Sequence, residues 1–288
     1  MKKTAIAILI AVVVVAIGAG LCFAGLSTVN FRFRDLDRTE YVTNTYSLGP
    51  VTKIDIQSDT ADVELVAEGE ADCKVVCFES DREKYAVDAV DGTLVIRPAG
   101  NGRSWSLFSF GFKSPKITVY LPAGRYELLQ AELHTGDITA DRALSFDRVD
   151  VELDTGDLSF SGVQADRITV RSHTGDLRLS GMKPESADFS VNTGEVILTD
   201  LVCSGDLRVE SSTGDIRLTD VDGANLYLSA STGDIEGTIL TDKVFSAHSS
   251  TGKVSVPAGT VSEPNGAFGG PCEARTSTGD IRLSLSGE

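Results

Sequence analysis

The sequence predicts an all-β protein, a single-stranded parallel β-helix or solenoid with 19–20-residue rungs, preceded by one N-terminal transmembrane helix. Three observations predict it. A Thr-Gly-Asp-Ile phrase recurs eight times, apolar residues recur at fixed offsets from each copy, and the chain opens with one long uncharged run.

From the N-terminus, residues 1–3 carry Lys2 and Lys3 and read as a short cytoplasmic tail. Residues 4–25 are 22 residues without a charge, long enough as a helix to span a hydrocarbon core of about 30 Å. A cleaved signal peptide is the alternative, but Cys22-Phe23-Ala24 is a poor small-residue cleavage site. The expected topology is therefore a single-pass signal-anchor in the cell membrane, with the C-terminal part extracytoplasmic. Residues 26–45 form a polar juxtamembrane stalk of mixed charge.

Residues 46–128 carry alternating runs at Lys53–Gln57, Asp62–Val66, Lys74–Phe78, Thr93–Arg97 and Lys116–Leu121. Asp91-Gly92 is the turn of a hairpin, and Thr60-Ala61-Asp62-Val63 is a degenerate copy of the repeat phrase. The segment reads as the irregular start and cap of the solenoid, hiding an unpaired strand edge. Within it, Trp105, Leu107, Phe108, Phe110 and Phe112 crowd together. They form either an apolar plug over the solenoid end or a partner-binding or membrane-dipping loop.

Residues 129–288 hold the regular repeats. The threonines are Thr135, Thr155, Thr174, Thr193, Thr213, Thr232, Thr251 and Thr278, spaced 20, 19, 19, 20, 19, 19 and 27 residues apart. A unit this short cannot bury an apolar face alone and must stack on its neighbours. Six residues before each Thr stand Leu129, Val149, Ile168, Ala187, Leu207, Leu226, Phe245 and Cys272; four before it stand Ala131, Val151, Val170, Phe189, Val209, Leu228, Ala247 and Ala274. Polar residues separate the two columns, which is strand alternation with one buried face.

Three after the Thr runs a wholly apolar column, Ile138, Leu158, Leu177, Val196, Ile216, Ile235, Val254 and Ile281. Inward parity has switched, so the chain turns a corner at Gly-Asp, where Gly accepts positive φ. Eight after the Thr come Val163, Met182, Leu201, Val221 and Leu240. The Thr has inward parity, with its hydroxyl expected on an adjacent rung's backbone. The 27-residue spacing contains a Gly/Pro-rich loop from Pro257 to Pro271. The rung Thr278–Leu285 then ends the array as an exposed edge, with the loop as a partial cap burying Phe268 against Ile281 and Leu283.

Stacking lines up an acid ladder: Asp137, Asp157, Asp176, Glu195, Asp215 and Asp234, then Lys253, then Asp280. Each carboxylate is expected to accept a turn N–H, with Arg178, Arg217 and Arg282 softening the repulsion. A row of Ca²⁺ sites is the sharper alternative, which Lys253 weakens by breaking the row. His134, Asp154 and His173 share the column before the Thr and form a candidate metal row. Later rungs put Asn192, Ser212, Ser231, Ser250 and Ser277 there, as plain surface would.

The chain has a net charge of −16, and without Lys2 and Lys3 the remainder holds 24 basic against 42 acidic residues. Nucleic acid is excluded as a partner, because it needs a basic face. A cationic peptide or a basic envelope protein fits the field. The five cysteines make no disulfide framework: Cys73 and Cys77 lie about 13 Å apart along one strand face, and Cys203 and Cys272 read as small buried hydrophobes. No P-loop, dinucleotide fingerprint, zinc-protease motif or nucleophile elbow is present. The chain is read as no enzyme and without a cofactor; a glycan-active enzyme on a β-helix is the alternative.

Ile54-Asp55-Ile56 with Thr60-Ala61-Asp62-Val63, then Ser114 to Pro122, the serial Ser-Thr-Gly-Asp-Ile phrases and the ending Cys272 to Leu283 together resemble the DUF4097 β-strand-repeat family, also called putative adhesin or toast-rack. The resemblance covers roughly residues 40–288. It implies an envelope-anchored β-helix-like domain, near the envelope-stress systems of Gram-positive bacteria, with no agreed enzyme activity or ligand. The expected function is thus a binding or scaffold module, in envelope-stress sensing or adhesion, with the oligomeric state open.

Overall fold

The structure is a computed structural model that describes residues 18, 20, 40–68, 72–80, 83–99, 114–140, 142–257 and 270–287. Residues 1–41 with 102–113, and residues 42–101 with 114–288, form two compact units, and the fold concerns the second. Apart from helical Gly18 and Gly20, the expected membrane segment lies outside the described residues, as do Trp105, Phe108, Phe110, Phe112 and Phe268. Among the described residues no helix is long and apolar enough to cross a membrane.

Seven strands precede the regular repeats: β1 (Tyr41–Leu48), β2 (Lys53–Ser58), β3 (Asp62–Glu68), β4 (Cys73–Ser80), β5 (Tyr85–Val90), β6 (Thr93–Pro98) and β7 (Lys116–Pro122). Each later coil adds two. They are β8 (Gly124–Thr135) and β9 (Ile138–Ala140), β10 (Leu144–Thr155) and β11 (Leu158–Ser161), β12 (Gln164–Thr174) and β13 (Leu177–Met182), and β14 (Ser186–Thr193) and β15 (Val196–Leu201). Then follow β16 (Asp206–Thr213) and β17 (Ile216–Val221), β18 (Asn225–Thr232) and β19 (Ile235–Ile239), β20 (Val244–Thr251) and β21 (Val254–Ser255), and β22 (Pro271–Thr278) and β23 (Ile281–Leu285).

The strands form two sheets, in the orders β1-β4-β7-β3-β9-β11-β13-β15-β17-β19-β23-β21 and β20-β22-β18-β16-β14-β12-β10-β8-β2-β6-β5. Neighbouring rungs pair in parallel and in register, so that Thr135, Thr155 and Thr174 stand side by side. The degenerate phrase at Thr60 is a true rung: β2 pairs with β8, and β3 with β9. At that end β4 runs antiparallel to β7 and β5 antiparallel to β6, turning at Asp91-Gly92 with φ of 50° and 74°.

The core lies between the sheets. The columns six and four before the Thr and three after it are buried in every rung except that of β20 and β21. There Phe245 and Ala247 are half-buried and Val254 is 44 % exposed. The cause is the order of the rungs, which corrects the expectation that Thr278–Leu285 ends the stack. The last rung in sequence, β22 and β23, is inserted between the rung of β18 and β19 and the rung of β20 and β21. The outermost strands are therefore β20 and β21, and Ile281 and Leu283 are covered by neighbouring rungs rather than by the loop.

Two local expectations are also corrected. All eight repeat threonines face solvent: each is the last residue of its strand, and both it and the residue before it are exposed, so the alternation breaks one step before the corner. In two rungs the small polar residue two places earlier makes the bond expected of the Thr: Ser249 Oγ donates to the Gly279 carbonyl (2.8 Å) and Thr276 Oγ1 to the Gly233 carbonyl (3.0 Å) of the adjacent rung, while Ser211 Oγ donates to Gly214 of its own corner (3.1 Å). Leu240 is 43 % exposed, and Ile239 takes the inward place instead. In earlier rungs a left-handed residue precedes that place: Gly162, Gly181, Asp200 and Asp220, with φ of 69°, 65°, 50° and 54°. Gly and Asp are residue types that accept this region. Strand β19 lacks the extra residue, so its pattern arrives one position early.

Cys73, Cys77, Cys203 and Cys272 are all free and buried. Burial pushes the Cys73 thiol up to about 11 and the other three up to about 12. The thiolate is the reactive form. The folded protein is therefore expected to leave all four unmodified by iodoacetamide at pH 8, and unfolding in urea to expose them together; mass spectrometry that finds any of them alkylated first would contradict their packing.

Candidate functional site

The Gly-Asp corners stack into a row along one side of the solenoid. The Asp137 N–H donates to Asp62 Oδ1 (3.0 Å), Asp157 N–H to Asp137 (2.8 Å), Asp176 N–H to Asp157 (2.8 Å) and Glu195 N–H to Asp176 (2.8 Å). Farther on, Asp234 N–H donates to Asp215 (2.9 Å), Asp280 N–H to Asp234 (2.8 Å) and Lys253 N–H to Asp280 (2.7 Å). Each of these aspartates thus serves the next rung outward, whereas Glu195 meets Arg217 instead. The Lys253 N–H holds the Asp280 carboxyl below its ordinary range, partly opposed by desolvation and aided by Arg282.

The second carboxylate oxygens meet arginines. Arg178 pairs with Asp157 (3.2 Å) and Asp176 (2.7 Å), Arg217 with Asp215 and Glu236 (3.1 Å each) and with Glu195, and Arg282 with Asp234 (3.2 Å) and with Asp280. Rung order also corrects the reading of Lys253 as a break. In space the acids are continuous, and Lys253 stands at the outer end, where no further N–H waits for a carboxylate.

His134, Asp154 and His173 do come together, with Asp59 beside them. His134 lies 3.9 Å from Asp59 and 4.0 Å from Asp154, and His173 lies 3.4 Å from Asp154. All four are exposed. Among the described residues no group of three or more His, Cys, Asp or Glu is arranged to hold a metal ion.

The most distinctive surface is the outer face of the sheet that contains β8, β10 and β12. It is lined by two shallow depressions of about 390 Å³ each. The first is bounded by Gln130, Glu132, Arg148, Asp150, Glu152 and Arg171, the second by Arg148, Arg167, Thr169, Asp188, Asp206 and Arg208. Register places Glu132 beside Glu152, and Arg148 beside Arg167. Like charges directly opposite destabilise a sheet. Some are partly answered: Gln57 donates to Glu132 (3.0 Å), Arg148 pairs with Asp150 (2.6 Å), and Arg171 lies 3.9 Å from Glu152. Arg208 lies over the Tyr227 ring, 5.2 Å from its centroid.

These residues were not singled out in sequence. The signal was present, since Glu132 and Glu152 both stand three before their Thr, and Arg148 and Arg167 seven before theirs. Outward columns look like ordinary polarity until register shows which charges are neighbours.

The chain is similar in structure to a putative adhesin from Bacteroides fragilis, with a TM-score of 0.53 and 15% identity over 85% of this chain and 97% of that one. It also matches a putative adhesin from Parabacteroides distasonis, with a TM-score of 0.43 and 10% identity over 86% of this chain and 98% of that one. A putative lipid binding protein from the same species matches with a TM-score of 0.45 and 14% identity over 85% and 97%. None of the curated proteins matches. The model of one family, Toastrack DUF4097, matches residues 51–284, most of the chain, and the repeat phrase, its corners and the opening strands from β2 onward fall within that match. The chain belongs to the Toastrack DUF4097 family.

Proposed function

We propose that this protein is a non-enzymatic binding or scaffold module, held at the bacterial cell membrane by residues 4–25 and meeting its partner through the outer face of the sheet that contains β8, β10 and β12. Its setting is adhesion or envelope-stress sensing. One observation carries the reading: like charges are kept side by side on that face, Glu132 with Glu152 and Arg148 with Arg167. A sheet built for stability alone would alternate them. A partner that carries both signs, such as a cationic segment of an envelope protein with acidic residues nearby, would neutralise both pairs. The depressions support this reading over a glycan-active enzyme, because arginines and acids interleave in them and no carboxylate is set apart in an environment of its own.

The test is capture from envelope extracts, with and without added cationic peptide. The chain carrying Glu132→Gln with Glu152→Gln, and the chain carrying Arg148→Ala with Arg167→Ala, should each lose the partner held by the wild type. Their thermal melting should stay level or rise slightly, since relieving a like-charge pair is worth roughly 0.2–1 kcal/mol. If both variants capture the same partner as the wild type, this face is not the binding surface.

A further inference from the structure

We propose that the β20/β21 rung is the surface through which two copies of this chain pair about a two-fold axis, β20 lying antiparallel to β20 of the second copy. Among the described residues, the rung order leaves β20 and β21 with a neighbour on one side only. Of the five exposed large apolar residues among those described, Leu240, Val244 and Val254 lie at this end, next to half-buried Phe245, Ala247 and Val256. Strand edges that stay solitary are normally protected by Lys, Glu, Pro or a bulge. Strand β20, Val-Phe-Ser-Ala-His-Ser-Ser-Thr, has none of these over eight residues. Strand β20 itself carries no carboxylate and the corner of its rung is Lys253, so on a chain of net charge −16 two copies meet here without acids facing each other along the strand.

The sequence of β20 fits its own reversal. With the axis at Ala247, inward residues meet inward residues: Phe245 faces Ser249 of the second copy, and Ala247 faces Ala247. On the outside, Ser246 faces His248 and Val244 faces Ser250. Strand parity is therefore kept, as an antiparallel ladder requires. Both cores join across the contact, covering Phe245 and Val254. Lys253 argues against a head-to-tail array, because it has no carboxylate to receive the corner N–H of a further parallel rung. The opposite end of the same sheet offers β5, only six residues long, with Asp88 facing solvent. Self-pairing matches seven residues, Val244 to Ser250, with the same seven of the second copy, and apolar surface with apolar surface.

The experiment uses the full-length chain in detergent, in a Cys22→Ser background so that this cysteine cannot cross-link. Sedimentation equilibrium should report a dimer. Ser246→Lys adds an outward charge to the edge and should raise the dimer dissociation constant at least about tenfold, with the thermal melt of the monomer unchanged. Ala247→Cys should form an interchain disulfide under mild oxidation, because residues facing each other across an antiparallel pair lie about 4.5–5.5 Å apart, within disulfide range. Val90→Cys, on β5 at the far end, should not. The proposal is overturned by a wild type that stays monomeric, including one that takes up a strand from another protein. It is equally overturned by a dimer that Ser246→Lys leaves intact, or by cross-linking at Val90 as ready as at Ala247. Should Ser246→Lys fail to fold, the Ala247 and Val90 cross-links decide alone.

Discussion

Replacing Gly175 by alanine is expected to cost more than about 4 kcal/mol, placing it among the largest effects a single substitution produces. Gly175 has φ of 141°, a region that L side chains avoid. The stronger cause is contact. A Cβ at this corner would lie well under 3.0 Å from the carbonyl oxygen of Gly156 in the adjoining rung. That carbonyl is backbone and cannot swing away. Moving it would stretch the bonds that join the corners, such as Gly156 N–H to the Thr174 carbonyl (2.9 Å) and Gly175 N–H to Thr193 (2.9 Å). In a stack held by nearest-neighbour interfaces, separating one pair of rungs divides the array. Gly124→Ala is the control, since its Cβ would meet only the Pro122 carbonyl at 3.9 Å, an ordinary contact. Urea midpoints compare the two. A Gly175→Ala protein that unfolds at the wild-type midpoint would mean that the corners are not in contact as described.

Lys243→Met is expected to destabilise by about 3–5 kcal/mol, and adding Asp222→Ala to recover most of that loss. Both side chains are buried, with Lys243 Nζ 2.6 Å from Asp222 Oδ1 and donating to the Gly223 carbonyl at 2.7 Å. Asp222 Oδ1 also accepts the Gly223 N–H (2.8 Å), while Oδ2 has no hydrogen-bond partner. Removing the lysine alone strands a carboxylate in the core, and the cost is that of an unpaired buried charge. Removing both deletes the charge along with its partner, a change that is often close to neutral. The location makes the pair informative. Lys243 leads into β20, the outermost rung, and Asp222 lies in the turn before β18, two rungs inward. A double-mutant cycle in urea should therefore show strong coupling between residues of non-adjacent rungs. Additive single effects would show that the outermost rung is not tied down here.

The repeating part of the fold was legible because its causes are local. Period-two alternation marked Leu129, Val149, Ile168 and the columns after them as inward, and they are buried. The Gly-Asp phrase marked the corner, and the carboxylates bond there to turn N–H groups. The exposed threonines were misread, because parity counting does not show where a strand stops being straight. The face proposed for binding was not legible at all, since Arg148 and Arg167 become neighbours only when β10 pairs with β12.

By itself, the sequence determined the period, the two inward strand faces of each coil, the corner chemistry and the family. Only the tertiary structure decided the order of the rungs. Parallel rungs present nearly the same ladder of backbone donors and acceptors to any neighbour, so pairing does not have to follow chain order. The 27-residue interval between Thr251 and Thr278 is long enough for the chain to step back over one rung. The corner residues then sort the two candidates. The rung with Cys272, Ala274, Ile281 and Leu283 has in Asp280 a carboxylate for the next N–H, so it can serve a further rung outward. The rung with Lys253 has no carboxylate to offer outward, and it takes the end.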